Sequence, residues 1–572
     1  MDFLSNINSI TWLDRFPIEI IFEIFDYLSN NDIIYTFFSF NKQFNNILIR
    51  HRRYFTNLEL PSTNFDTWEP ILSYLGSKIE SLIISTIDFS FPLIYFSNLK
   101  SIIIPSTYGL PKEQLKYLLD CDQFNNLHTF KLKQKKLFCD QFYYFDLIDQ
   151  NYLFKKVFNS NNSLKIFEYP FTRSSLSITH YNSLQINSNL YSLTLILSDF
   201  NDIFKLISYT PNLEYLTIQT SPPPITYQEI IYQTNIKLKQ FNLKLGHDSI
   251  DFNQLMNGIK QFSSSLISLS LDLVDLNIET IDELPFNSIK LQQFLQTMIE
   301  LKQFHLYAKL NECPIDNENF LLEFQNQFWL DHNWRFGMHD KYFYTLPFHF
   351  DYLYEFSNNF KTNSRLWYSN VKSLELCLTE KFNFQFLKDL KIQMPKLNLI
   401  KFTSCDSNKN EMKNHITFDN VTMCEYNENV KDWILYRLPN LKHLILSSKE
   451  LISIDNQVAQ IFNKKIQYLD IKIHSDVDYL PEISYMYWSN VQYISLYLCY
   501  NQQISQCHAT HVIKILKHFQ NLKTLTVYLI PTRFDSILRL NKFIESLNAD
   551  EVLNNYQAKH FGVYSLFSKI IL

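Results

Sequence analysis

One seven-residue pattern constrains this chain more than any other feature: a polar residue or Lys, then apolar-x-x-apolar-x-apolar. It appears as KIESLII from Lys78, NLKSIII from Asn98, NLHTFKL from Asn126, SLKIFEY from Ser163 and NLYSLTL from Asn189. It continues as NLEYLTI from Asn212, KLKQFNL from Lys237, SLISLSL from Ser265 and ELKQFHL from Glu300. Later copies are NVKSLEL from Asn370, KLNLIKF from Lys396, NLKHLIL from Asn440, KIQYLDI from Lys465, NVQYISL from Asn490 and NLKTLTV from Asn521. A single match is weak in so apolar a chain, but a return mostly every 20 to 37 residues marks a repeat. The segments between carry helical periodicity, as in Phe200-x-x-x-Phe204-x-x-Ile207 and Ile513-x-x-Leu516-x-x-Phe519. A unit of one strand and one helix cannot bury its apolar face alone, so the copies are expected to stack on a shared core. A doubly wound α/β domain fits poorly, because it needs longer crossovers and glycine-rich turns.

The strand of this pattern resembles the leucine-rich repeat, in an irregular form without a consistent Asn after the strand. The resemblance implies an α/β fold: a leucine-rich-repeat-like solenoid, or horseshoe, with parallel strands on its concave face. Its expected extent is residues 56–540, with a cap over 541–572. The long gap from Leu301 to Val371 is read as one more unit without the signature. It holds Phe320-Leu321-x-x-Phe324-x-x-x-Phe328 as a helix and Trp334-Arg335-Phe336 as alternating strand. The aromatic residues Tyr342, Phe343, Tyr344, Pro347, Phe348 and Phe350 beside it read as core. Ser221-Pro222-Pro223-Pro224 reads as a rigid spacer.

Ahead of the array, Trp12 to Leu48 reads as three short helices. Pro17 opens the first, where a missing N–H does no harm. Phe16, Ile20, Ile21, Ile24, Phe25 and Leu28 recur at helical spacing. Asp32 is placed to cap the second helix, with Ile33, Ile34, Phe37 and Phe38 along it, and Asn41 to cap the third, with Phe44, Ile47 and Leu48. Helices this short must pack on one another. So many large apolar residues exceed what a small bundle can hide, which suggests a docking surface. His51-Arg52-Arg53-Tyr54 ends the third helix, where positive charge suits the helix dipole.

The spacing Leu13-x-x-Phe16-Pro17-x-Glu19-Ile20, then Ile24-Phe25-x-x-Leu28, Asp32 and Phe44, resembles an F-box over residues 10–55. Two positions depart from the family: Phe16 replaces the Leu of the Leu-Pro pair, and Phe44 the Trp of the third helix. The resemblance implies docking to a Skp-type adaptor, and through it a cullin–RING ubiquitin ligase. Leu13, Phe16, Pro17, Ile20, Ile24, Phe25, Leu28 and Phe44 are the implied contact residues. The chain would then be the substrate-recognition subunit, cytoplasmic or nuclear, with the array binding a target protein. The alternative is a scaffold that recruits no ligase.

Composition narrows the chemistry. The chain has 572 residues, Lys plus Arg of 52 against Asp plus Glu of 57, and a net charge of −5, so nothing steers it to nucleic acid or an anionic membrane. Six glycines, the closest pair twelve positions apart, cannot build a phosphate-cradling loop or a nucleophile elbow. Eight cysteines without a C-x-x-C pair suit buried thiols in a reducing compartment. The Met-Asp start shows no secretory signal, and no apolar run approaches a membrane span. Cys507, His511 and His518, with His508 beside them, share a helix face, but Lys514 lies on that face too and the segment reads as ordinary exposed helix. No carboxylate pair is set by spacing for acid–base work. Neither catalysis nor a cofactor is expected.

The target site is expected on the late strands. Residues between the apolar positions point away from the core. Early strands present Ser81, Ile83, Ser192 and Thr194 there, while late strands present Tyr468, Asp470 and Lys472, then Tyr493, Ser495 and Tyr497, then Thr524, Thr526 and Tyr528. Tyrosine offers large contact area plus a hydrogen bond at low entropic cost. Tyr468, Asp470, Lys472, Tyr493, Tyr497 and Tyr528 are the candidate target contacts.

Overall fold

In the computed structural model every one of the fifteen motifs becomes a β-strand that opens three residues after the motif's first residue. The structure describes residues 16–38, 42–55, 58–60, 65–84, 93–106, 112–134, 150–170, 176–178, 184–220, 236–246, 252–274, 287–310, 317–357, 367–378, 384–405, 417–425, 438–447, 464–473, 490–499, 522, 524–530, 560–564 and 567–571. These fall into two compact units, one within residues 1–241 and one within 242–572, a division inside the expected 56–540 array.

The first unit opens with three helices, α1 Ile18–Asp26, α2 Asn30–Phe37 and α3 Lys42–Arg50. Strands β1 Leu58–Leu60, β2 Ser81–Ile84, β3 Ser101–Ser106, β4 Thr129–Gln134, β5 Ile166–Tyr169, β6 Ser192–Leu197 and β7 Tyr215–Thr220 follow. Each pairs with the next in parallel, in chain order. The register puts the middle apolar residue of each unit beside that of its neighbour: Leu58, Leu82, Ile102, Phe130, Phe167, Leu193 and Leu216. None is more than 1% exposed. Burying each such side chain contributes about 1.5–3 kcal/mol. Parallel strands need a crossover, and helices such as Lys112–Asp120, Gln150–Val157 and Asp202–Ser208 supply it. The last matches the expected Phe200–Ile207 periodicity, while the Ile513–Phe519 segment lies outside the described residues.

Strand β8 Gln240–Lys244 falls where the chain passes into the second unit. There β9 Ser268–Leu273 and β10 Gln303–Lys309 pair in parallel. The next two strands, β11 Arg335–His339 and β12 Tyr342–Leu346, are antiparallel to each other, and β12 is antiparallel to β10. The Leu301–Val371 gap is therefore not one further strand–helix unit, as the sequence suggests, but contains a hairpin. Asp340, at φ 47°, and Lys341 turn it between the paired His339 and Tyr342. The expected helix breaks too, because Phe324 leaves helical geometry (φ −92°, ψ 22°) and the Asn326 side chain caps a fresh turn by accepting from Phe328 N–H.

A second sheet follows: β13 Tyr352–Ser357, β14 Ser373–Leu378, β15 Leu399–Cys405, β16 Met423–Glu425, β17 His443–Ser447, β18 Tyr468–Ile473, β19 Tyr493–Cys499 and β20 Thr524–Ile530. All seven pairings are parallel and in chain order. An antiparallel hairpin, β21 His560–Tyr564 and β22 Phe567–Ile571, lies within the expected cap. The chain is thus mixed α/β with parallel-strand sheets. Among the described residues no helix is long and apolar enough to cross a membrane.

A polar device recurs at the strand entries. In several units the first motif residue, an Asn, donates its side-chain N–H backward to the residue just ahead of the preceding unit's motif. Asn98 reaches Ser77 O at 2.7 Å, Asn189 reaches Asn162 O at 2.7 Å, Asn212 reaches Ser188 O at 2.9 Å and Asn440 reaches Asp419 O at 2.7 Å. Asn420, in a unit without a recognised motif, does the same to Pro395 O at 2.7 Å. In two units where Lys stands in place of Asn, its ammonium reaches the preceding Asn: Lys237 to Asn212 at 2.9 Å and Lys396 to Asn370 at 3.0 Å. Two residues into the motif, one carbonyl accepts two successive N–H groups of the next unit, as Lys100 O does from His128 and Thr129. These contacts pin the register at the entry of each such strand.

Candidate functional site

Two surfaces carry the residues singled out from the sequence. The first lies on α1–α3. Pro17 is the N-cap of α1, with its carbonyl accepting from Ile20 and Ile21 N–H. Ser29, rather than Asp32, caps α2: its hydroxyl accepts from Asp32 N–H at 3.1 Å and donates to the Asp32 carboxylate at 2.6 Å. Asp32 serves as the reciprocal partner inside the first turn. Asn41 lies outside the described residues.

Ile21, Phe25, Ile33, Phe37, Phe44, Ile47, Leu48 and Tyr54 form the core of this bundle. Phe37 stacks on Phe44 at 5.2 Å and packs beside Phe25 at 4.9 Å. Phe25 is 1% exposed and Phe44 is fully buried, so neither can touch a partner as the helices stand. This corrects their assignment as docking residues: each holds the bundle together. Phe16 is half-buried against the same core, and Leu13 lies outside the described residues.

The surplus lies elsewhere on α1 and just past its end. Ile20 and Ile24 share a helix face at i and i+4, and Tyr27, the C-cap, and Leu28 follow them in the turn that leaves the helix. Ile20 and Leu28 are each 38% exposed, Tyr27 is 91% exposed, Ile24 is half-buried and Pro17 is exposed. Ile18 adds a further exposed side chain at 40%. The basic cluster is structural, since the Arg53 guanidinium pairs with Asp26 at 3.2 Å and stands over the Phe22 and Tyr54 rings. The Tyr54 hydroxyl is pushed up by burial, against the hydrogen bond it accepts from Arg53. The helices are also tied to the sheet. The Asn31 side chain donates to Glu59 O and accepts from Glu59 N–H at 2.9 Å, closing on β1 as a neighbouring strand would.

The second surface is the outward face of the late strands. Register places Tyr468 beside Tyr493, Asp470 beside Ser495 and Lys472 beside Tyr497, with Tyr497 beside Tyr528 on β20. Tyr468 and Tyr493 stack at 4.6 Å and 9°, and Tyr468 is 41% exposed. The side chains of Tyr497 and Tyr528 lie outside the described set. Asp470 and Lys472 are not open contacts, which corrects their reading as such. Asp470 is 6% exposed, with its carboxylate 3.0 Å from His443 Nε2, a close contact without hydrogen-bond alignment. Lys472 reaches across β17 to Glu425 on β16 at 2.9 Å. Ile445, the residue opposite Glu425, is fully buried although it occupies an outward position. Farther along the same row, Lys401 pairs with Glu375 at 3.4 Å, and the Tyr352 hydroxyl donates to Glu375 at 3.0 Å.

His443, Glu425 and Ile445 thus belong to this face, although the sequence reading passed over them. For His443 the signal was present, since it opens a strand at the same motif position as Tyr468. Glu425 was hidden because its unit, NVTMCEY from Asn420, fills two apolar positions with Cys424 and Tyr426. Among the described residues no group of three His, Cys, Asp or Glu side chains is placed to hold a metal ion. Cys507, His511 and His518 lie outside the described residues. No protein-family model matches the chain, and no curated protein matches it.

Proposed function

We propose that this chain is the substrate-recognition subunit of a cullin–RING ubiquitin ligase, with an F-box in α1–α3 and a leucine-rich-repeat-like solenoid behind it. One observation carries the reading: Ile18, Ile20, Tyr27 and Leu28 stay open to water, beside the half-buried Ile24, after the bundle has closed its own core. An apolar stripe that a finished core does not need is the signature of a docking helix. The partner is a Skp-type adaptor, and a target protein binds the late strands around the Tyr468–Tyr493 stack. The experiment is co-purification of the full chain with a Skp adaptor, and then of the double variant Ile20→Asp and Leu28→Asp. The adaptor is expected to bind the unaltered chain and not the variant, with the melting curve of the variant unchanged. An unaltered chain that binds no adaptor overturns the reading.

The second reading is a scaffold without ligase recruitment. The Asn31–Glu59 clamp favours it, because an ordinary end cap would be tied to the first strand in this way. Under that reading this open surface is inert, and the same co-purification returns no adaptor from either form.

A further inference from the structure

The two sheets of the second unit meet at an unusual joint. No backbone ladder joins β11 or β12 to β13. Side chains from the first sheet hold the first strand of the second. Tyr354 N–H donates to the Tyr307 hydroxyl at 2.8 Å, and Tyr354 O lies 2.9 Å from His339 Nε2. A carbonyl only accepts, so Nε2 carries the proton and Nδ1 is left as acceptor for the Tyr344 hydroxyl at 3.2 Å. Tyr344 in turn bonds the Tyr368 hydroxyl at 2.8 Å. Directly after this pin the backbone is strained: Glu355 sits at φ 43° and the β13–β14 register slips between Leu353 and Phe356. Two more imidazoles close the same joint, His305 of β10 stacked on His349 at 3.9 Å and 10°, in the segment entering β13.

We propose that this joint is an acid-opened hinge: His339, His305 and His349 close it as neutral rings, and protonation frees β13 from the first sheet. His339 is 4% exposed among Tyr342, Tyr344 and Phe356. The acids around it are engaged elsewhere, Asp340 with Ser357 and Glu355 with Tyr342. A charged His339 therefore meets only hydroxyls and a carbonyl. A charged His305 faces His349, beside which Asp351 lies. Burial holds His339 and His305 down at about 4, from 6.5, and moves His349 the same way. Since the closed form binds protons less readily than the open one, opening is favoured as pH falls through 6.5 and continues to grow towards 4. Each of the two fully shifted rings multiplies the opening equilibrium about tenfold between pH 7.5 and 5.5, together about a hundredfold.

The test is amide exchange of the full chain at pH 7.5 and 5.5, corrected for the intrinsic rate and read on peptides spanning residues 339–357. Exchange there is expected to rise about a hundredfold at the lower pH, while β18 and β19 keep their protection. Gln can donate to Tyr354 O and accept from Tyr344, but does not titrate, so His339→Gln is expected to remove about tenfold of the rise. His305→Phe keeps the stack and removes a separate tenfold. Equal corrected exchange at both pH values overturns the hinge, as does a full rise in both variants or a simultaneous loss of protection in β18 and β19.

Discussion

Phe25 lies in the last turn of α1 and Leu28 just past its Tyr27 C-cap; they belong to one apolar stretch, yet the structure gives them opposite duties. Phe25→Ala removes a ring that is 1% exposed and lies 4.9 Å from Phe37, 5.4 Å from Tyr54 and 6.3 Å from Phe44. Helices of nine, eight and nine residues leave little freedom to refill that space. The expected cost is about 3–5 kcal/mol, the range for truncating a buried aromatic. Leu28→Ala acts on a side chain already 38% exposed, and its expected cost is below about 1 kcal/mol. Global melting alone is a blunt assay, because the helices can open locally while the sheet persists. Amide exchange of residues 18–50 reads the local opening: 3–5 kcal/mol is about two to three and a half decades in rate, against less than one decade for Leu28→Ala. Costs for the two variants within 1 kcal/mol of each other would refute the division of this stretch into a core side and an open side.

Two further outcomes follow from the packing. Lys472→Ala leaves the half-buried Glu425 carboxylate without its cation, so urea titration is expected to show a loss of about 1–3 kcal/mol; Lys472→Met, which keeps an apolar stem but not the charge, is expected to lose less than Lys472→Ala. Gly76→Ala places a Cβ 2.4 Å from Tyr95 O, a backbone atom that cannot swing aside, and is expected to cost about 1–3 kcal/mol in thermal unfolding of the first unit; a neutral result would mean that the 76–78 turn moves away freely.

The strands were legible because their signal is periodic and local. Alternating apolar residues at a fixed offset need no knowledge of distant sequence, and all fifteen motifs fix a strand start to the residue. β13 follows the same offset from His349, but the bulge at Glu355 moves its last apolar contact to Phe356 and breaks the spacing. The β11–β12 hairpin escaped because Asp340-Lys341 is a poor turn signal beside Asn-Gly. On α1 the period gave the apolar stripe but not its inner edge, since Ile20 and Ile21 are equally apolar and the packing of the other helices decides which is buried. The charged row on the late face was illegible for a different reason. Lys472 and Glu425 are 47 positions apart and meet by reaching over a whole strand. No pattern within one strand announces such a pair.

The asparagine contacts have a direction. Each reaches back to a carbonyl of the preceding unit, and none of those described waits for a residue that comes later in the chain. During synthesis the chain emerges from its N-terminus, so every acceptor is made before its donor appears, and each new strand has a finished edge to land on. The first strand of the chain has no predecessor. Asn31, offering β1 both a donor and an acceptor from the helices, supplies the missing edge with the same side chain that the later units use. Folding can then advance like a zip with its starting stop already in place, and a chain begun after α3 would lack that stop.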